Sequence, residues 1–165
     1  MAYSTSGSIA RGRVDWLNPL FLILTVVGII ISSYLTYTHF SNSIIICTPD
    51  HSCDTVNQSI YAYFPPKSGI PVSLLGLIGY VILAGLQIAR WRISRMAVMD
   101  FNTISTRGRL DMVLFLGTLL GVVFSLYLTA MELWVIHAIC WWCVGSAITI
   151  SLLFILSVLR IWATE

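Results

Sequence analysis

The sequence predicts an all-α integral membrane protein: a four-transmembrane-helix bundle, with a cysteine-bearing outer loop and a short surface helix between the first two spans. Three observations predict it. Only 10% of the 165 residues are charged and 58% are hydrophobic, whereas a soluble domain carries about a quarter charged residues. Four apolar stretches each reach the roughly 20 residues that a helix needs to cross a bilayer. The arginines gather at one set of span ends. No second globular domain fits beside four spans, so residues 1–165 read as a single membrane domain. The net charge of +2 gives no reason to invoke nucleic acid; the lipid bilayer is the partner that the composition implies.

The first span runs from about 17 to 39. Arg11 and Arg13 precede it, as in a signal peptide. The run is long, however, and Ser32, Ser33, Tyr34, Thr36 and Tyr37 lie in it with no small-residue cleavage site after it, so a retained helix is expected. The second span runs from about 71 to 92 and opens at Pro71, where proline is tolerated. The third runs from about 110 to 132. Its Gly117 and Gly121 form a G-x-x-x-G pair, expected to let neighbouring helices of the bundle approach closely. The fourth runs from about 135 to 160.

Arg11 and Arg13 flank the start of the first span, Arg90, Arg92, Arg95, Arg107 and Arg109 fill the connection between the second and third, and Arg160 closes the fourth. Lys67 is the one basic residue between the first two spans. The positive-inside rule then places both termini and the middle connection in the cytoplasm. The segment from about 40 to 70 and the turn from about 132 to 137 face outward. Cys47, Cys53, Cys140 and Cys143 all fall on that outer side, where disulfides persist. Four cysteines allow three pairings.

Cys140 and Cys143 form a Cys-x-x-C pair, "CWWC". Residues three apart on a helix share a face, and a small adjustment brings their Cβ atoms to disulfide distance. The pair is expected in the first turns of the fourth helix, where the positive helix terminus favours the reactive thiolate. A bridge across one turn crosslinks little chain, so a purely structural role is poor. Four thiolates could alternatively hold a soft metal, which keeps a metal transporter or sensor as a rival reading. Cys47 and Cys53 bracket "TPDHS", turn-forming residues suited to a mobile loop that carries a thiol between an outside partner and the inner pair. "CDTVNQSIYAYF" follows and reads as a short amphipathic surface helix capped by Asp54 or a neighbour.

Electrons delivered to thiols at the bilayer edge need an acceptor that lives there, and a lipid-soluble quinone meets that need. Tyr34, Tyr37, Tyr80, Trp134 and Trp141 are candidate walls for its ring.

The stretches "CTPDHSCDTVNQSIYAYF", "SGIPVSLLGLIGY", "SLYLTAMELWVIHAICWWC" and "GSA" resemble the vitamin K epoxide reductase family, its bacterial branch in particular, from about residue 18 to 159. The order is specific: a spaced loop pair, then a serine, then the Cys-x-x-C. DsbB-type oxidases carry their Cys-x-x-C first. The resemblance implies that Cys140 and Cys143 are the catalytic pair, with Cys143 nearest the quinone. It implies that Cys47 and Cys53 are the shuttle pair, and that Ser59 holds the relay region in place. Vertebrate members have an asparagine and a tyrosine where this chain has Val72 and Ala147, which favours a respiratory quinone, ubiquinone or menaquinone, over vitamin K epoxide. The expected activity is that of a thiol:quinone oxidoreductase of the bacterial inner membrane, with its site facing the periplasm. It would oxidise a DsbA-like, thioredoxin-fold partner supplied as a separate protein, with no metal. Cys53 is expected to meet the partner and Cys47 to meet Cys140.

Overall fold

The computed structural model describes residues 6–41, 45, 47, 52–64, 69–95 and 101–164, with side chains placed for all of these except 6–16, 94–95, 101–105 and 163–164. Five α-helices follow in order: α1 (Ser6–Ser41), α2 (Ser52–Asn57), α3 (Val72–Arg95), α4 (Phe101–Met131) and α5 (Trp141–Thr164). Two short strands, β1 (Tyr63–Phe64) and β2 (Ile70–Pro71), pair antiparallel between α2 and α3, with Tyr63 opposite Pro71. Four helices contain a segment long and apolar enough to cross a membrane: Leu17–Ser41, Val72–Ile93, Thr106–Ile136 and Trp141–Trp162. The protein is a multi-pass membrane bundle.

The long helices form a ring in which α1 packs on α3 and α5, and α4 packs on the same two. Large apolar side chains face both ways, because lipid and core are equally apolar. Ile23, Ile30, Leu120, Leu126 and Trp162 point outward, while Phe21, Tyr80, Leu83, Leu114, Ile150, Leu153 and Leu156 make one inner cluster. With no hydrophobic drive between helices in lipid, close contact and polar links hold the ring together. Gly28 lies under the ring of Tyr80, where any Cβ would overlap it. Gly121 meets Ile150 of α5 and Gly117 meets Leu83 of α3, so the G-x-x-x-G pair packs within the bundle. Hydroxyls inside the spans return to the carbonyl one turn back, as Thr25 does to Phe21 at 2.7 Å and Thr149 to Gly145 at 2.8 Å, because no water is present to satisfy them.

At one end the four long helices are tied by a buried polar knot. Arg90 of α3 forms a forked ion pair with Asp111 of α4 and donates to Asn18 Oδ1 of α1 at 2.9 Å. Arg160 of α5 donates to Gln87 Oε1 at 2.8 Å and to the Leu17 carbonyl at 3.1 Å, with its guanidinium 4.8 Å from the Phe21 ring centre. The four cysteines lie at the opposite end.

Three local expectations are corrected. The apolar run from 135 onward is not one helix: α4 passes into a π-helical turn over Glu132–Ile136, His137 takes a left-handed conformation with φ 55°, and α5 begins at Trp141. Hydropathy cannot register such a break, because Val135, Ile136 and Ile139 keep the run apolar across it. The surface helix is only α2, and a 3-10 turn, Ile60–Ala62, follows it. Asp54 sits inside α2 rather than ahead of it, and its Oδ1 accepts the Ile45 N–H at 2.9 Å. Thr48–His51, most of the turn-forming loop sequence, lie outside the described residues, as does Lys67; so do the side chains of Arg11, Arg13 and Arg95.

Candidate functional site: four cysteines at one end of the bundle

A second cluster of buried residues brings all four cysteines together. Ile31 and Leu35 of α1, Ile45, Cys53 and Val56 of the connection between α1 and α3, and Cys140 form it, and Cys47, Cys143, Tyr34, Trp142, Ile136 and Ala138 pack against it. Cys47 and Cys53 are disulfide-bonded, with their Cα atoms 6.1 Å apart, and Cys140 and Cys143 are free thiols. Cys53 and Cys140 are fully buried, and Cys47 is partly exposed.

The connection between α1 and α3 is held over α1 by directed bonds. His39 Nδ1 lies 2.9 Å from the Asn57 carbonyl and Nε2 lies 3.1 Å from the Tyr63 hydroxyl. A carbonyl only accepts, so Nδ1 donates to Asn57. Ser59 donates from Oγ to the Val56 carbonyl at 2.9 Å, and its own carbonyl accepts from the Ala62 N–H at 3.0 Å. Ser59 thereby closes α2 and turns the chain into the 3-10 segment.

Cys140 is the residue before α5, not part of its first turn: its carbonyl accepts the first intrahelical bond, from the Val144 N–H at 3.0 Å. That is the N-cap position, whose side chain meets the free N–H groups of the next residues. For Cys140 those are Trp142 and Cys143. The hydrogen bond from the Cys143 side chain is the largest influence and holds the Cys140 thiol below the ordinary cysteine range; the two N–H groups add to it, while burial and the Glu132 charge oppose it. Cys140 is thus the more readily ionised sulfur expected of a helix N-terminus.

Glu132 is the residue that sequence reasoning passed over. Its Oε2 accepts the Cys140 N–H at 3.2 Å, its carboxyl lies beside the Cys143 side chain, and it is 5% exposed. The available signal was an acidic residue at the end of an apolar span, a costly and therefore functional placement.

The candidate quinone walls separate into two groups. Tyr37, Trp134 and Trp141 are 68%, 78% and 62% exposed and face away from the bundle. Tyr80 is buried in the other core cluster and donates to the Ser146 carbonyl of α5 at 3.0 Å, one turn below Cys143. The aromatic rings packed beside the cysteines are Tyr34 and Trp142, with centres 4.8 Å apart.

No curated protein matches the sequence. The sequence profile of the Vitamin K epoxide reductase family matches residues 19–158, a stretch that contains all four cysteines and all four spans except the first two residues of the first and the last four of the fourth. The chain belongs to the vitamin K epoxide reductase family and is, as a member of it, a membrane oxidoreductase that works by thiol–disulfide chemistry.

Proposed function

We propose that the protein is a thiol:quinone oxidoreductase. It oxidises a thioredoxin-fold, DsbA-like partner through Cys47–Cys53, passes the electrons to Cys140–Cys143, and delivers them to a membrane quinone, ubiquinone or menaquinone. The observation that carries the reading is the gathering of a disulfide and a free Cys-x-x-C pair in one buried cluster at one end of a membrane bundle. The arginine distribution supports an arrangement with that end in the periplasm of a bacterial inner membrane and both termini in the cytoplasm. The loop disulfide counts against the soft-metal alternative, because Cys47 and Cys53 bonded to each other are not thiolate ligands.

Burial favours roles for the loop cysteines opposite to the expected ones. Cys53 is fully buried in the cluster that holds Cys140, whereas Cys47 is partly exposed. In the reading we adopt, the partner thiolate attacks Cys47 and frees Cys53. The Cys53 thiolate then attacks Cys140 of the inner disulfide, and Cys143 leaves. The partner's second thiol attacks its own sulfur in the mixed disulfide, which releases the partner oxidised and frees Cys47; Cys47 then attacks Cys53, restores the loop disulfide and leaves both inner thiols reduced. Each exchange makes one S–S bond and breaks one.

Groups at the cysteine end of the bundle support a quinone as the acceptor. Tyr34 and Trp142 supply aromatic surface, and Ser73 near the start of α3 has a buried hydroxyl with no hydrogen-bond partner among the described residues. Ser73 lies seven residues, two helical turns, above Tyr80 on the same stripe of α3, which puts it at the cysteine end. Its Oγ–H is a free donor for a ring carbonyl, and an unmet buried hydroxyl is costly unless a ligand meets it. When bound, a quinone accepts two electrons and two protons and becomes a quinol. The test is purified protein in micelles with a reduced thioredoxin-fold partner and a soluble quinone, followed by quinone absorbance. Partner-dependent reduction that requires Cys143 supports the reading, and its absence refutes it.

A further inference from the structure

Glu132 is a carboxylate in apolar surroundings with no basic side chain paired to it among the described residues. Burying such a group is expensive, and accepting one backbone N–H does not require a charge: a glutamine or a main-chain carbonyl would do. What a carboxylate adds is the ability to take up a proton, and the proton beside it is that of the Cys143 thiol. The backbone is shaped to bring the two together. The wide turn at Glu132–Ile136 and the left-handed His137 end α4, and the chain then crosses to α5 so that the Cys140 N–H lands on Glu132 Oε2. Widened turns inside helices recur at functional sites. A left-handed histidine is a strained conformation that persists only where the surroundings hold it.

We propose that Glu132 is a catalytic base: it removes the proton from Cys143 Sγ as the inner disulfide forms and hands it to the electron acceptor. The second half of this statement rests on the quinone reading above. Forming the Cys140–Cys143 bond removes two electrons and two protons from the dithiol. Glu132 carries the Cys143 proton to one acceptor oxygen. The Cys140 proton leaves to water at the cysteine end, and water there supplies the other proton, so atoms and charge balance. The side chain needs no large movement, since it already accepts the Cys140 N–H and lies beside the Cys143 side chain.

The test uses Glu132→Gln, whose amide oxygen still accepts the Cys140 N–H but binds no second proton, and Glu132→Asp, which keeps a titrating group. Quinone reduction by pre-reduced protein should fall by about 10²-fold or more in the Gln variant, the usual worth of a positioned base, and should recover in part in the Asp variant. Exchange between the loop disulfide and the inner thiols, counted with quinone left out, also forms the inner disulfide and should likewise slow in Glu132→Gln, whereas attack of the reduced partner on the loop disulfide, which does not involve Cys143, should keep its rate. A second readout needs no quinone. Oxidising the inner dithiol with diamide should give a protonated-carboxyl C=O stretch in the infrared difference spectrum of the wild type, missing in Glu132→Gln. A Gln variant that reduces quinone at the wild-type rate overturns the proposal, as does a wild type without the band or a band that survives the substitution. The band in a wild type that reduces no quinone refutes the quinone reading alone and leaves the base at Cys143 supported.

Discussion

Removing the Asp111 carboxylate should cost this bundle far more than removing a surface ion pair. Arg90 and Arg160 are 1% and 2% exposed, and Asp111 is the acid paired with Arg90. Without it, Arg90 keeps, among the described residues, the neutral acceptor Asn18 Oδ1. Stripping one partner from a buried pair costs about 3–5 kcal/mol. Asp111 is itself 16% exposed and Asn18 stays in place, so Asp111→Ala should fall near the lower figure, about 3 kcal/mol. Asp111→Asn, which still accepts from the guanidinium but carries no charge, should fall between Asp111→Ala and the wild type. Arg90→Leu/Asp111→Leu removes both charges and should recover most of the loss, because an apolar pair of similar volume often replaces a buried ion pair at no net cost. Steric-trap unfolding in micelles gives these differences. A loss below about 1 kcal/mol for Asp111→Ala, the value of an exposed pair, would refute the buried-knot argument. So would a double variant as unstable as the single one.

Three further outcomes follow from the geometry. The Cys140 thiol is held low chiefly by the Cys143 hydrogen bond, and only the thiolate reacts. Its alkylation by N-ethylmaleimide, resolved by peptide mass, should therefore rise with pH through a midpoint below the ordinary thiol value of about 8.5 and move upward in Cys143→Ala; an unmoved midpoint contradicts the assigned cause. Gly28→Val should overlap the Tyr80 ring and lower stability by about 1–3 kcal/mol, with partial recovery in Gly28→Val/Tyr80→Leu; a wild-type melting temperature for Gly28→Val would show that the two helices do not approach this closely. On intact, reduced bacteria an impermeant thiol reagent should label Cys47, and labelling only after the cytoplasmic face is opened would reverse the proposed orientation.

The four spans were legible because a bilayer demands long apolar runs, and run length is visible in sequence. The break at His137 was not, since the residues on either side of it are as apolar as a continuing helix would be. Phase was also hidden. In a soluble helix the polar face marks the outside, but here Trp134 and Trp141 face outward while Trp142 packs on the cysteines, and all three look alike in sequence. The four cysteines stood out through their type and order. Glu132 did not, because it coincided with the end of a span and was read as its boundary. The ranking of Cys53 over Cys47 depends on burial, which the spacing of a loop does not encode.

The most direct test of the relay is whether Cys53 and Cys140 bond to each other when no other sulfur can intervene. In Cys47→Ser/Cys143→Ser only those two thiols remain, and mild oxidation should link them in nearly every molecule, as mapped by peptide mass. Cys53→Ser/Cys143→Ser, which leaves Cys47 with Cys140, should link much less under the same treatment. A Cys47–Cys140 bond that forms as readily as the Cys53–Cys140 bond, or the absence of both, would contradict the path of electrons from the loop pair to the inner pair.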